Sequence, residues 1–152
     1  REQRPVLSES VQRDLQEDCG IMMLSDVRDY VESLGISENV YMGKLSDKPE
    51  KSIGVYNSKH QRAYHTAIGG SHLEGYGEKP VTILVHWNRS PRDTEKAATE
   101  LFEKLRAARD AEINNETIKF IQPLYEIQDV GTDDAGIYEM VIEVAVIFEK
   151  KE

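Results

Sequence analysis

The sequence predicts an α+β fold: a largely antiparallel, mixed β-sheet with two helices packed on one face. Three observations predict it. Two segments space their apolar residues at i, i+3, i+4 and i+7, several others alternate apolar and polar residues with a period of two, and the elements run in the order helix, strands, helix, strands.

Residues 1–22 carry mixed charges without an apolar stripe and read as a flexible leader, with a single domain over 23–152. Met22 and Met23 stand directly before the first helix, and Gln16, Glu17 and Asp18 can be encoded by a purine-rich stretch like a bacterial ribosome-binding site, so a native start at one of these methionines is expected. N-terminal sequencing of the natively expressed product checks this, and a product beginning upstream of Met22 excludes it. Ser25 is placed to cap a helix to about Leu34 whose apolar residues are Val27, Tyr30, Val31 and Leu34, and Gly35 suits a left-handed stop. A short strand over Val40 to Leu45, a polar loop through Asp47, Pro49 and Lys51, and a strand around Ile53 and Val55 follow, the two strands expected to pair.

From Ser58 to Lys79 four glycines interleave with histidines and tyrosines, which predicts a long irregular region. The next strand puts Val81, Ile83, Val85 and Trp87 on one face and Thr82, Leu84 and His86 on the other, with His86 expected on an exposed or subunit-facing side. Ser90 before Pro91 and Asp93 is a capped start, and the stripe Ala97, Ala98, Leu101, Phe102, Leu105 and Ala108 predicts a helix to about Ala111. Asn114 and Asn115 mark a turn, Thr117 to Pro123 a strand, and Gly131 to Gly136 a second turn after a less regular stretch. The longest strand closes the pattern: Tyr138, Met140, Ile142, Val144, Val146 and Phe148 face one way, and Glu139, Glu143 and Glu149 the other.

At 152 residues the chain suffices for one core. The 28 acidic and 19 basic residues leave a net charge of -9, which disfavours nonspecific adhesion to nucleic acid or anionic lipid. The lone Cys19 has no partner for a disulfide, and no apolar run approaches the roughly 20 residues of a membrane-spanning helix.

Residues that suggest chemistry are few. His60, His65, His72 and His86 lack the spacing that sets two histidines on one helix face, so no metal site is predicted. Asp129, Gly131, Asp133, Asp134 and Gly136 lack the register and closing glutamate of a calcium loop and read as a turn. The run from Gly69 to Gly77 lacks the lysine of a phosphate loop, and no serine, cysteine or threonine sits in a nucleophile motif. No enzyme activity and no cofactor are expected. The glycine-rich region reads equally as a mobile surface loop or as an arm that orders against a neighbouring subunit, with Tyr64, His65, Ile68, His72, Leu73 and Tyr76 as its interface residues; on the second reading, deleting Gly69 to Gly77 is expected to spare the fold and weaken assembly.

From Met23 to Lys150 the chain resembles the bacteriophage minor capsid family, whose members look like tail terminators of long-tailed phages. The resemblance rests on the helix ending at Leu34 and Gly35, the strand over Ser52 to Tyr56, the segment from Gly69 and Gly70 to Val81 through Trp87, the following helix, and the run Gln128 through Tyr138 with its long strand to Phe148. It implies a structural virion protein that forms a ring, commonly of six subunits, caps the tail tube and meets the head-tail connector protein at the head-tail junction, after assembly in the host cytoplasm. The implied partners are further copies of itself, the tail-tube protein and the connector. No membrane and no specific nucleic acid is implied, although DNA passes through such a ring, where acidic side chains would repel its phosphates. The competing readings are a head-side neck or completion protein bound to the connector and, more distantly, a small metal-dependent enzyme using His60, His65 or His72.

Overall fold

The computed structural model describes residues 22–43, 49–59, 68 and 75–150. In chain order the elements are α1 (Leu24–Ser33), β1 (Asn39–Met42), β2 (Ser52–Asn57), β3 (Tyr76–His86), α2 (Pro91–Arg106), β4 (Arg109–Ile113), β5 (Glu116–Pro123), β6 (Gln128–Thr132) and β7 (Tyr138–Glu149). The strands form one seven-stranded sheet in the order β1-β2-β3-β7-β5-β4, with β6 also paired to β7. Every pairing is antiparallel except β1 with β2, so the α+β class, mixed sheet and two helices follow the sequence pattern.

One core lies between the helices and one face of the sheet. Val27, Tyr30 and Val31 of α1 and Ala97, Ala98, Leu101 and Leu105 of α2 join Ile53, Val55, Val81, Ile83, Val85, Ile142, Val144, Val146 and Phe148 in a single buried cluster. Met22, read from the sequence as the end of a leader, is also buried in this cluster. α2 packs over β3, β7 and β5, whereas α1 touches β1 and β2 at one edge of the sheet and β4 at the other. A flat sheet of this order would hold those edges far apart, so the sheet curls around α1. Two polar clamps fix the curl. Arg28 Nε of α1 donates to the Val40 carbonyl of β1 at 3.0 Å, and Asn114 Nδ2, in the β4–β5 turn, donates to Asp26 Oδ1 at 3.0 Å and Asp29 Oδ2 at 2.8 Å.

Several boundaries differ from the sequence reading. α1 begins two residues earlier than a Ser25 cap would allow: Met23 is the cap residue, and its backbone N–H donates to Asp26 Oδ2 at 2.9 Å. Gly35 takes the expected left-handed conformation (φ 80°) after α1. α2 starts as predicted, with Ser90 Oγ accepting from the Asp93 N–H at 3.2 Å and Pro91 in the first turn. It stops at Arg106 rather than Ala111, because Arg109 to Ile113 leave the helix to pair with β5. Asn114 and Asn115, at φ 52° and 67°, make the two-residue turn that this hairpin requires.

The predicted irregular region is also shorter at its end. Residues Tyr76 to Lys79 already belong to β3, where they pair with Glu149 to Val146 of β7. β2 pairs with β3 only from Val81 onward, so Pro80 lies beyond the end of the β2 ladder. β6, within the stretch read as irregular and turn, pairs with the first part of β7 through a register shift between Asp129 and Gly131.

Candidate assembly surface

Because successive side chains of a strand point to opposite faces, burying Ile142, Val144, Val146 and Phe148 under the helices turns Glu139, Val141, Glu143, Ala145 and Ile147 of β7 to the other face. That face carries no described helix. Glu78, Ile147 and Phe120 lie side by side across β3, β7 and β5, with Pro80, Ala145 and Gln122 in the next row. At its β4 end, Tyr76, Ile147, Phe120, Pro123 and Leu124 line a groove whose rim carries Glu78, Asp110 and Lys119. Tyr76 is 50% exposed and Phe120 38%, large for aromatic side chains that monomeric proteins usually cover. The Arg109 guanidinium lies 5.9 Å from the Phe120 ring centre, and Lys119 Nζ meets Asp110 Oδ1 at 2.7 Å, which raises the lysine's pKa. Outside this groove, Met42, Tyr125 and Val130 are also exposed. Along the adjoining edge, β4 pairs only with β5 among the described strands, so its outer backbone groups face away from the sheet.

Of the six interface residues read from the sequence, Tyr64, His65, His72 and Leu73 lie outside the described residues. Ile68 is fully exposed, and Tyr76 is exposed on β3 in the groove. The sequence did not single out Phe120 or Leu124. Phe120 stands two positions after the core residue Ile118, so strict alternation would bury it. A register shift between Ile118 and Phe120 turns it to the outer face, and no residue type announces that shift.

A polar cluster occupies the opposite end of the same face. His86, expected on an exposed or subunit-facing side, is fully buried within the chain: its Nδ1 lies 2.7 Å from Glu139 Oε2, and its Nε2 lies 3.7 Å from Asp133 Oδ2. The outward direction read from alternation is right, but the β6–β7 turn that brings Asp133 over the ring has no signature in local periodicity. Between the two ends Glu143 is buried and accepts from Ser58 Oγ and Thr82 Oγ1, each at 3.2 Å. The described residues thus offer a greasy groove beside an open strand edge and a buried histidine flanked by carboxylates.

Residues 16–150 match the family described as bacteriophage tail terminator protein. The chain belongs to the bacteriophage tail terminator family. The match spans both helices and all seven strands, and with them the groove at Tyr76 and Phe120. No curated protein matches the chain. Membership implies a component of the virion that interacts with other parts of the phage tail.

Proposed function

We propose that this tail terminator closes into a ring on the end of the tail tube and offers the surface to which the head-tail connector attaches. In this reading copies join through the open β4 edge and the adjacent groove, with Tyr76 and Phe120 as buried anchors and the segment around Ile68 as an added contact. The observation that carries it is the exposed apolar groove beside a sheet edge that no described strand covers, in a chain of this family. A heterologous contact of that kind repeats head to tail and closes when the rotation between copies permits. The net charge of -9 suits a ring through which DNA passes, because repeated acidic groups repel phosphate.

Light scattering with and without tail-tube protein tests the reading. The expected result is a multiple of the subunit mass, formed at the latest when tube protein is added. A strict monomer that ignores tube protein overturns it, and capture of connector but not tube protein moves the protein to the head side of the neck. Deleting Gly69 to Gly77 would not spare the fold, contrary to the expectation from sequence. Tyr76 and Gly77 are rungs of the β3–β7 ladder, and their loss would damage the sheet itself. Tyr76→Asp and Phe120→Asp change exposed side chains, so each should leave the fold intact and reduce the assembled fraction at least tenfold. Unchanged assembly in both variants places the subunit contact elsewhere.

A further inference from the structure

We propose that His86, Asp133 and Glu139 form a binding site for a divalent transition-metal ion of the zinc type, at the end of the sheet where the β6–β7 turn meets β3. His86 closes β3 directly opposite Glu139 in the β3–β7 ladder, and Asp133 arrives from the turn. A ring nitrogen and one oxygen of each carboxylate lie within 4.8 Å of one another, His86 and Asp133 supplying the ligand atoms and Glu139 orienting the ring from its other side.

The tautomer decides what such a cluster can hold. An ionised carboxylate only accepts hydrogen bonds, so the 2.7 Å contact with Glu139 Oε2 puts the proton of a neutral imidazole on Nδ1. Nε2 then presents a lone pair. It is buried, it has no hydrogen-bond partner among the described residues, and the nearest carboxylate oxygen, Asp133 Oδ2, stands at 3.7 Å, beyond hydrogen-bonding range. A buried nitrogen lone pair left without a donor costs free energy, which positive charge beside it would offset. A metal ion supplies that charge: zinc bonds of about 2.0–2.2 Å to nitrogen and oxygen at a tetrahedral angle separate the two donor atoms by about 3.4 Å.

The surroundings suit an ion as well. Glu139 on the far ring nitrogen gives the carboxylate–histidine–metal arrangement that fixes the tautomer and makes the ligating nitrogen more basic. Asp133 is held in place by its other oxygen, Oδ1, which accepts the N–H groups of Ala135 and Ile137 at 2.9 Å each. An imidazole ligand favours zinc, copper, iron or nickel over magnesium and calcium, which take oxygen ligands. Bound there, the ion fastens the β6–β7 turn to the end of β3.

The test uses the full untagged chain, stripped with a chelator and titrated calorimetrically with Zn2+ alone at neutral pH, with nitrogen NMR of the His86 ring beside it. The expected result is one equivalent bound, a higher melting temperature, and a shift of Nε2 while Nδ1 keeps its proton. Asp133→Asn retains a carbonyl oxygen for the turn, and with His86→Gln it should weaken binding at least tenfold; Glu139→Gln should weaken it by about 10-fold to 100-fold. Three results would each overturn the site: a folded chain that binds no zinc, zinc binding indifferent to both Asp133→Asn and His86→Gln, or a His86 ring protonated on both nitrogens that zinc does not alter. The NMR readout stands on the unsubstituted chain, so it decides the matter even if a variant fails to fold.

Discussion

Gly77 is held by space rather than by backbone conformation. A Cβ added there would come within 2.5 Å of the Phe148 ring, which is its direct cross-strand partner on β7 and part of the core. Gly77→Ala should therefore destabilise the protein by about 1–3 kcal/mol through overpacking, measured by urea unfolding. From the sequence this glycine reads as one of several that loosen an arm. Only the register, which sets an aromatic ring against it, reveals the different role. Core positions are more legible at this scale: Leu101 sits on the helical stripe and is fully buried, and Leu101→Ala should cost about 2–5 kcal/mol. His86 shows the limit from the other side, since its face is readable from alternation but its cover depends on Asp133, 47 positions away by residue number.

Elements with strong periodicity and capping chemistry were readable almost to the residue. The Ser90 and Pro91 start of α2 needed no tertiary information, and Ser90→Ala should cost about 1 kcal/mol in thermal unfolding by removing the acceptor for the Asp93 N–H. The end of α2 was not readable, because Ala107, Ala108 and Ala111 extend the helical pattern into residues that pairing with β5 takes for a strand. β6 escaped notice for a related reason: an exposed edge segment bearing Asp129 and Gly131 carries little apolar alternation. The link between α1 and the β4–β5 hairpin adds a pH dependence. Hydrogen bonds from Asn114 and then from Arg28 hold the Asp29 carboxyl below its ordinary pKa. A carboxylate lowered in this way adds stability that is complete above its unfolded value of about 4 and is lost as pH falls through the folded value. Asn114→Ala should raise the Asp29 pKa, followed by carboxyl NMR. At neutral pH it should cost about 1–3 kcal/mol, because two hydrogen bonds are lost, that to Asp29 discounted for its 36% exposure, and alanine is held at the left-handed φ of 52°. Below the folded pKa the Asp29 share of that difference should shrink.

At the scale of the whole molecule, the sheet order places β7 at the centre, paired with β3, β5 and β6, although it follows every other described strand in the chain. Its ladder with β3 runs from Tyr76 and Glu149 to His86 and Glu139, joining residues more than fifty positions apart. Such contacts form late, because a long loop must close before they give any return. A nascent chain still lacking β7 has no strand to bridge β3 and β5, and the groove at Phe120 and Ile147 does not yet exist. Chains released before Tyr138 should accordingly stay unfolded by circular dichroism. On the role proposed for that groove, an unfinished polypeptide would lack the surface through which copies join, and the pace of translation itself would keep it out of a growing particle.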